Sequence, residues 1–461
     1  MPSTAPEASA NGPARRRRLL SGWGGTAPSG ASVSRPSSAE DLADSLAAIP
    51  DRGVLGRGLG RSYGDSAQNA GGLVVDTTGV LDFRLDGATG VVRASAGASL
   101  DDLMRELVPR GFFVPVTPGT RYVTVGGAVA ADIHGKNHHR VGSWGDHVLS
   151  MRLGLGDGSV VEVSPTQRAD LFWATLGGMG LTGLILDVTF QCPAIESSRL
   201  LVDTDRAPDL DTVMAMMESG DDDYDYSVAW IDLSTSGRQL GRSVLTRGRF
   251  AHGDEVGADP DPLAYDAAIV VSAPPLVPSG LVNRLTVRAF CEAWYRKAPA
   301  RRRDELQTIP TFFHPLDMVG HWNRAYGPRG FVQWQCALPF GAEDVLRTAV
   351  HELSALGCTS VVNVLKRFGP ANPAPLSFPM PGWTLAVDIP TRAASVAPLL
   401  DRLDELVAAA GGRIYLAKDS RLRAELVPVM YPRLDEWRDA RNAADPEHRF
   451  QSDLARRLNL I

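Results

Sequence analysis

Apolar residues recur along this chain at two spacings, and each predicts its own kind of element. Leu103, Met104 and Leu107 follow Ser99-Leu100-Asp101-Asp102 at helical spacing, which predicts a capped amphipathic helix. A second start of this kind, Ser38-Ala39-Glu40-Asp41, opens a stretch through Ile49 with a serine cap and an acidic first turn. Longer helical patterns lie around 343–356 and 394–410. Short apolar runs at 73–76, 91–94 and 184–190 predict strands, and 148–154 with 160–163 predict a hairpin around Gly156-Asp157-Gly158. Strand, loop, strand, helix is an α+β rhythm, and no repeat at solenoid period underlies it.

Texture divides the chain. Residues 1–20, Pro/Ala/Ser-rich and then Arg15 to Arg18, predict a disordered basic tail. Residues 21–195 form a first unit. Residues 196–411, which hold most of the tryptophans, predict a second domain, and 412–461 are expected to rejoin the first. The run 267–283 lacks charge but contains Pro274, Pro275 and Pro278, so it predicts a loop facing lipid or a greasy ligand, or else a packed linker, and not a spanning helix.

Composition narrows the classes. At 461 residues, 44% hydrophobic and 22% charged, the chain can bury a large core, and a net charge of −6 disfavours nucleic acid as a partner. Cys192, Cys291, Cys336 and Cys358 are scattered and predict reduced core thiols rather than a disulfide framework or zinc site. The two leucines after the arginines make no export signal, which places the chain in the cytoplasm by sequence.

Two small-residue segments carry the chemistry. Gly56-Arg57-Gly58-Leu59-Gly60-Arg61-Ser62-Tyr63-Gly64-Asp65 offers backbone amides and two arginines to a pyrophosphate. It is neither a P-loop nor a Rossmann fingerprint, because Tyr63 stands where the third glycine belongs. Thr124-Val125-Gly126-Gly127-Ala128-Val129-Ala130-Ala131-Asp132-Ile133-His134-Gly135-Lys136-Asn137-His138-His139 lets backbone touch a flat ring beside His134, which points to flavin. The histidines predict no metal site, since Gly135 breaks the spacing and only Asp132 is near. Lys418, hemmed in by small and apolar neighbours, suits either the charge of a reduced flavin or proton transfer. Gln333 and Gln335 project from one face of a strand and, with nearby His314, Trp322 and Tyr326, suggest a sugar site; Arg324 and Lys366 are candidate phosphate anchors.

Together with Pro118-Gly119-Thr120 and Ala417-Lys418-Asp419-Ser420-Arg421, these segments resemble the vanillyl-alcohol oxidase superfamily of flavin-dependent oxidoreductases. More narrowly, the chain resembles its branch that oxidises the carbon-2 hydroxyl of polyprenylphosphoryl-β-D-ribofuranose. That resemblance implies a two-part FAD-binding domain with an inserted α+β substrate domain, an antiparallel sheet with flanking helices. It implies an oxidised keto sugar that a separate NADH-dependent reductase converts to the arabinose epimer, and peripheral contact with the inner membrane, for which it opens the periplasmic face as an alternative to the cytoplasmic one without choosing between them. It implies that Tyr63, His134, Gln335, Lys366 and Lys418 line the active site, and that Gly56 to Ser66, Gly119, Thr124 to Gly127, Ala131 to His134, Ile185 and Tyr415 contact FAD. The first glycine loop lacks the histidine to which many relatives attach flavin, so dissociable FAD is expected. The mycobacterial member has cysteine at Ala386 and asparagine at Thr384, so reagents bonding to that thiol lose their anchor here. The alternatives are an alditol or sugar-lactone oxidase using oxygen, and a flavin-binding protein without turnover.

Overall fold

The computed structural model describes residues 14–257, 260–274, 277, 280–357, 361–391 and 395–461. The expectations for residues 1–13, Pro275, Pro278, Cys358 and Ala394 lie outside them. Three sheets organise the described chain. The first runs Arg15–Leu20, Ser29–Ser34, Leu73–Asp76, Val54–Arg57, with the last three strands parallel. The second is antiparallel, in the order Phe83–Asp86, Val91–Ser95, Leu184–Gln191, Val148–Gly154, Val160–Val163. Its hairpin and the helix Leu100–Leu107 form where the patterning places them, and the helix after Ser38 starts as expected but ends at Asp44, short of Ile49, with turns over 45–48.

One expectation fails at the start. Arg15–Leu20 is no disordered tail but an edge strand paired residue for residue with Ser29–Ser34. Strand pairing needs only backbone partners, and a row of arginines on an edge discourages further pairing.

The third sheet has eight antiparallel strands, in the order Arg301–Thr308, Arg199–Ala207, Ser243–Phe250, Tyr226–Ile231, Asn363–Phe368, Gly382–Pro390, Phe331–Pro339, Arg413–Ile414. Because strand side chains alternate, its faces differ completely. Trp334, Cys336, Leu365, Leu385, Val387, Ala229 and Leu245 point one way, into a core shared with the helices Leu210–Gly220, Glu343–Leu356 and Val396–Ala409. Gln333, Gln335, Ala386, Lys366, Val364, Trp230 and Val244 point the other way, into a cavity. The short strand Arg413–Ile414 therefore closes the large sheet, while the chain beyond it returns to the first: Val54 bridges Phe450, and Arg457 pairs with Asp65.

Buried Arg121 secures one wall of that cavity. Its Nε donates to Asp101 at 2.6 Å, its Nη2 to the carbonyl of Ala267 at 2.9 Å, and its backbone N–H to Asp317 at 2.8 Å. Removing the guanidinium takes the buried cation from Asp101 and Asp317, leaving Asp101 to the half-exposed Arg105 and Asp317 to the Thr120 hydroxyl and one backbone N–H. Arg121→Met is expected to lower unfolding free energy by about 3 kcal/mol, read from the urea midpoint.

Candidate active site

A cavity of about 1050 Å³ lies between the two glycine segments and the polar face of the large sheet. Its wall holds Arg57, Arg61, Lys136, Lys297, Lys366 and Lys418, and among the described residues no carboxylate. In a chain of net charge −6 this concentration of cations is local, and it marks a place for anions.

The first loop owes its shape to close backbone approaches. A Cβ on Gly58 would stand 2.1 Å from Oγ1 of Thr124, the residue whose hydroxyl caps the helix Val125–Ala130 through the N–H of Gly127. A Cβ on Gly64 would stand 1.9 Å from the carbonyl oxygen of Asp419. The segment after the last sheet strand stitches everything together. Tyr415 N–H donates to the carbonyl of Gln335, its hydroxyl donates to the carbonyl of Ala131 at 2.8 Å, and Ala417 accepts from Tyr63 N–H at 3.0 Å.

His134 sits among Phe368, Phe378 and Tyr415, with ring centroids 4.8, 5.5 and 5.2 Å away. Burial and the nearby Lys366 hold its pKa well below the ordinary range, so it is neutral. The Gln335 amide lies 3.0 Å from its Nε2 and donates there, which leaves the ring proton on Nδ1, a buried atom without a partner among the described residues. Lys418 Nζ stands 4.0 Å from the centre of the Tyr63 ring. Burial lowers the pKa of Lys418, and burial with the charge of Lys418 lowers that of Lys366 to about 7. Burial raises the Tyr63 phenol.

Glycine loops against a wide cavity, an unpartnered buried ring N–H and a cationic wall fit a flat, doubly phosphorylated cofactor. The matches to known proteins agree. A profile of FAD binding domains covers residues 31–164. The decaprenylphosphoryl-β-D-ribose oxidase of Mycolicibacterium smegmatis is 45% identical over 97% of this chain and 99% of its own. The chain belongs to that oxidase family. The solved structure of Physcomitrella patens BBE-like 1 shares its fold with a TM-score of 0.64 at 16% identity, covering 91% of this chain and 90% of that one. The 6-hydroxy-D-nicotine oxidase of Arthrobacter nicotinovorans gives 0.62 at 18% identity, with the same coverage. Like its relatives, this decaprenylphosphoryl-β-D-ribose oxidase family member is an FAD-dependent oxidoreductase of α+β fold.

Placement of the expected residues is uneven. Gly56, Leu59, Gly60, Ser62, Ser66, Gly119, Thr124, Gly126, Gly127, Ala131, Ile133, Ile185 and Tyr415 line the cavity, as do Tyr63, His134, Gln333, Gln335, Lys366, Ala386 and Lys418. Several others do not. Arg57 reaches the wall, but its guanidinium donates to the carbonyls of Ala67 and Ser21, so it braces the loop instead of offering its fork to phosphate. Gly64 and Asp65 face backwards, against Asp419 and Arg457, and Val125 is core. Asp132 is a buried hub that accepts from Ser143, Gly145, Asn372 and Ser377, and so fixes the bend before His134. His314 stands behind the wall, bonded to Thr117 at 2.7 Å. Thr384 accepts from Gln335 at 3.2 Å and is one layer removed, and Arg324 donates to the carbonyl of Ala273, away from the site. His138 and His139 each turn to separate backbone partners, the N–H of Gly369 and the carbonyls of Asp221 and Tyr224.

Two functional groups escape sequence reasoning. Lys136 lies buried over Phe312, donates to its carbonyl, and has its pKa lowered to about 7 by burial. Its neighbours in sequence are histidines and glycine, and nothing there foretells an aromatic cage supplied 176 residues away. Asp388 is wholly buried behind Gln333, and a strand of Trp, Leu, Val and Ile gives no hint that its one acid faces the site. For this oxidase family member the cradle is testable directly. Gly58→Val should cut the flavin content of purified protein at least tenfold by displacing Thr124, as read from the visible-to-ultraviolet absorbance ratio.

Proposed function

We propose that this chain oxidises the carbon-2 hydroxyl of a polyprenylphosphoryl-β-D-ribofuranose to the 2-keto sugar. The observation that carries the reading is the continuity of one cavity, in which polar and apolar ends lie side by side on one sheet face. At the strands Phe331–Pro339 and Asn363–Phe368 that face presents Gln333, Gln335 and Lys366; on the next two strands, Tyr226–Ile231 and Ser243–Phe250, it presents Val228, Trp230 and Val244. Neighbouring strands lie about 4.8 Å apart, so the change from sugar-binding amides to apolar wall spans about the reach of a phosphosugar.

FAD, when bound, supplies the acceptor for hydride from the carbon that bears the hydroxyl. The residues of this chain do the rest. Gln333 and Gln335 hold ring hydroxyls, while Lys366 and Lys136 face the phosphoryl group as partly desolvated cations. The hydroxyl proton passes to the neutral amine of Lys418 beside the Tyr63 ring, a form made available because burial lowers the lysine pKa to about 8, and the amine leaves the step as an ammonium. Neutral His134 offers its Nδ1 proton without adding charge.

Beyond the apolar wall the cavity reaches Phe290 and Trp294, stacked 5.9 Å apart and both more than 40% exposed, on the basic helix Arg284–Lys297. Ile269, Val270, Val271 and Leu285 are exposed as well. Such an apolar, positively flanked mouth supports peripheral contact with an anionic membrane from which the lipid enters. Among the described residues no helix is long and apolar enough to cross a membrane. The keto product calls for an NADH-dependent reductase to complete epimerisation. No histidine or cysteine stands in residues 56–66, which supports FAD held without a covalent bond.

Anaerobic mixing with polyprenylphosphoryl ribose should bleach the visible flavin band, and acid precipitation should release all flavin to the supernatant. Bleaching by free alditols with an oxygen-dependent peroxide burst, and none by the phospholipid sugar, would replace this reading with the alditol oxidase. Lys418→Met should slow bleaching at least 100-fold while the protein stays yellow.

A further inference from the structure

Asp388 occupies a peculiar place for a carboxylate. It is wholly buried on the strand Gly382–Pro390, directly across the ladder from Gln333, and its bonded side-chain partners are neutral. Oδ1 accepts from Nε2 of Gln333 at 2.5 Å, and Oδ2 accepts from the Tyr326 hydroxyl at 3.5 Å. The same Gln333 nitrogen donates to the Tyr63 hydroxyl at 3.2 Å, and the Tyr63 ring lies beneath Lys418. Asp388, Gln333, Tyr63 and Lys418 thus form one chain from behind the wall to its surface.

We propose that Asp388 is a positioning residue of the oxidation: it fixes which end of the Gln333 amide faces the sugar, and it is the buried counter-charge of Lys418. An ionised carboxylate only accepts hydrogen bonds. Above its raised pKa of about 7, where it is ionised, Asp388 therefore holds the NH2 end of Gln333 toward itself and leaves Oε1 to accept from a sugar hydroxyl. An asparagine at 388 also donates, and so permits the amide to turn over. The second role follows from charge. Groups facing the pair are Tyr63 and Arg61 from the first loop, Tyr326, His134 and Lys366. Lys366 and Arg61 bring no negative charge, His134 is neutral and burial keeps the Tyr63 phenol protonated, so among these groups the Asp388 carboxylate is the anion that answers Lys418. Burial raises the Asp388 carboxyl and lowers the Lys418 ammonium, and each group favours the charged form of the other.

The inference rests on the oxidation proposed above, and wild-type bleaching by polyprenylphosphoryl ribose tests that separately. The experiment follows the pH dependence of anaerobic flavin bleaching in the FAD-loaded wild type, Asp388→Asn and Lys418→Met. The limb absent from Lys418→Met belongs to Lys418. In Asp388→Asn that limb should move to lower pH by about one unit, because the group that raises the lysine pKa is gone. The KM for the sugar should also rise about tenfold or more as Gln333 loses its fixed direction. An Asp388→Asn holoenzyme with an unmoved limb and unchanged KM overturns the proposal while wild-type bleaching stands. If Asp388→Asn is not recovered as yellow protein, Tyr326→Phe decides. Loss of one donor to the carboxylate should shift the same limb in the same direction by less, and no shift there overturns the proposal as well.

Discussion

The architecture of the site depends on one short clasp, residues 415–419, which bonds through its backbone and through the Tyr415 hydroxyl. There the chain leaves the large sheet and within five residues bonds to Gln335 on that sheet, to Ala131 on the second glycine segment and to Tyr63 on the first. Each bond is individually worth about 1 kcal/mol. Their value is geometric, because the same five residues carry Tyr415 and Lys418. The backbone that carries Lys418 cannot shift relative to the first loop without breaking a main-chain bond, and Gly64 is bare because Asp419 must pass so close. Asp419 is held from below by the N–H groups of Arg421 and Leu422 and by Arg457, so the clasp is braced as well as bonded.

The large sheet makes a second constraint serve two ends. Alternation sends every other residue of Phe331–Pro339 and Gly382–Pro390 into a helix-covered core, where Trp334, Cys336, Leu385 and Val387 are wholly or almost wholly buried. That core makes the strands rigid, and rigidity is what allows the opposite face to hold amides, a lysine and an acid out of water in fixed directions. A one-residue slip would exchange the two faces. Register is thus a functional property here, since it sets Gln333 opposite Asp388 and Gln335 opposite Ala386.

What could be read in the sequence follows the same logic. The glycine segments, the capped helices and the alternation of Gln333 and Gln335 are local signals, and all of them form as expected, the helix after Ser38 in shortened form. Fold and cofactor follow from them through the resemblance. The helix Arg284–Lys297 was invisible because only Val287 and Cys291 are buried along it, which leaves no apolar stripe to count. Arg57, Asp132 and Arg324 were misplaced because residue type alone does not say whether a polar group faces a ligand or a carbonyl. Arg15–Leu20 was misread because edge pairing leaves no trace in side-chain pattern. Lys136 and Asp388 gain their meaning only from residues far away in the chain, and that information exists only after folding.

The cationic wall also sets how binding and protons are linked. Lys136 and Lys366, with pKa values lowered to about 7, are each partly neutral near that pH. A phosphoryl anion beside them favours the ammonium form, so binding draws protons from solution and is strongest below neutrality. For Lys418 the charge of Asp388, a residue outside the wall, partly offsets burial, which lowers the lysine pKa only to about 8. In the oxidation proposed above, Lys136 and Lys366 would thus differ from Lys418 in having no carboxylate of the protein among the groups that set their charge. Charge at Lys136 and Lys366 answers to a ligand that brings its own, whereas the point at which Lys418 gains or loses its proton is set by a group of the protein.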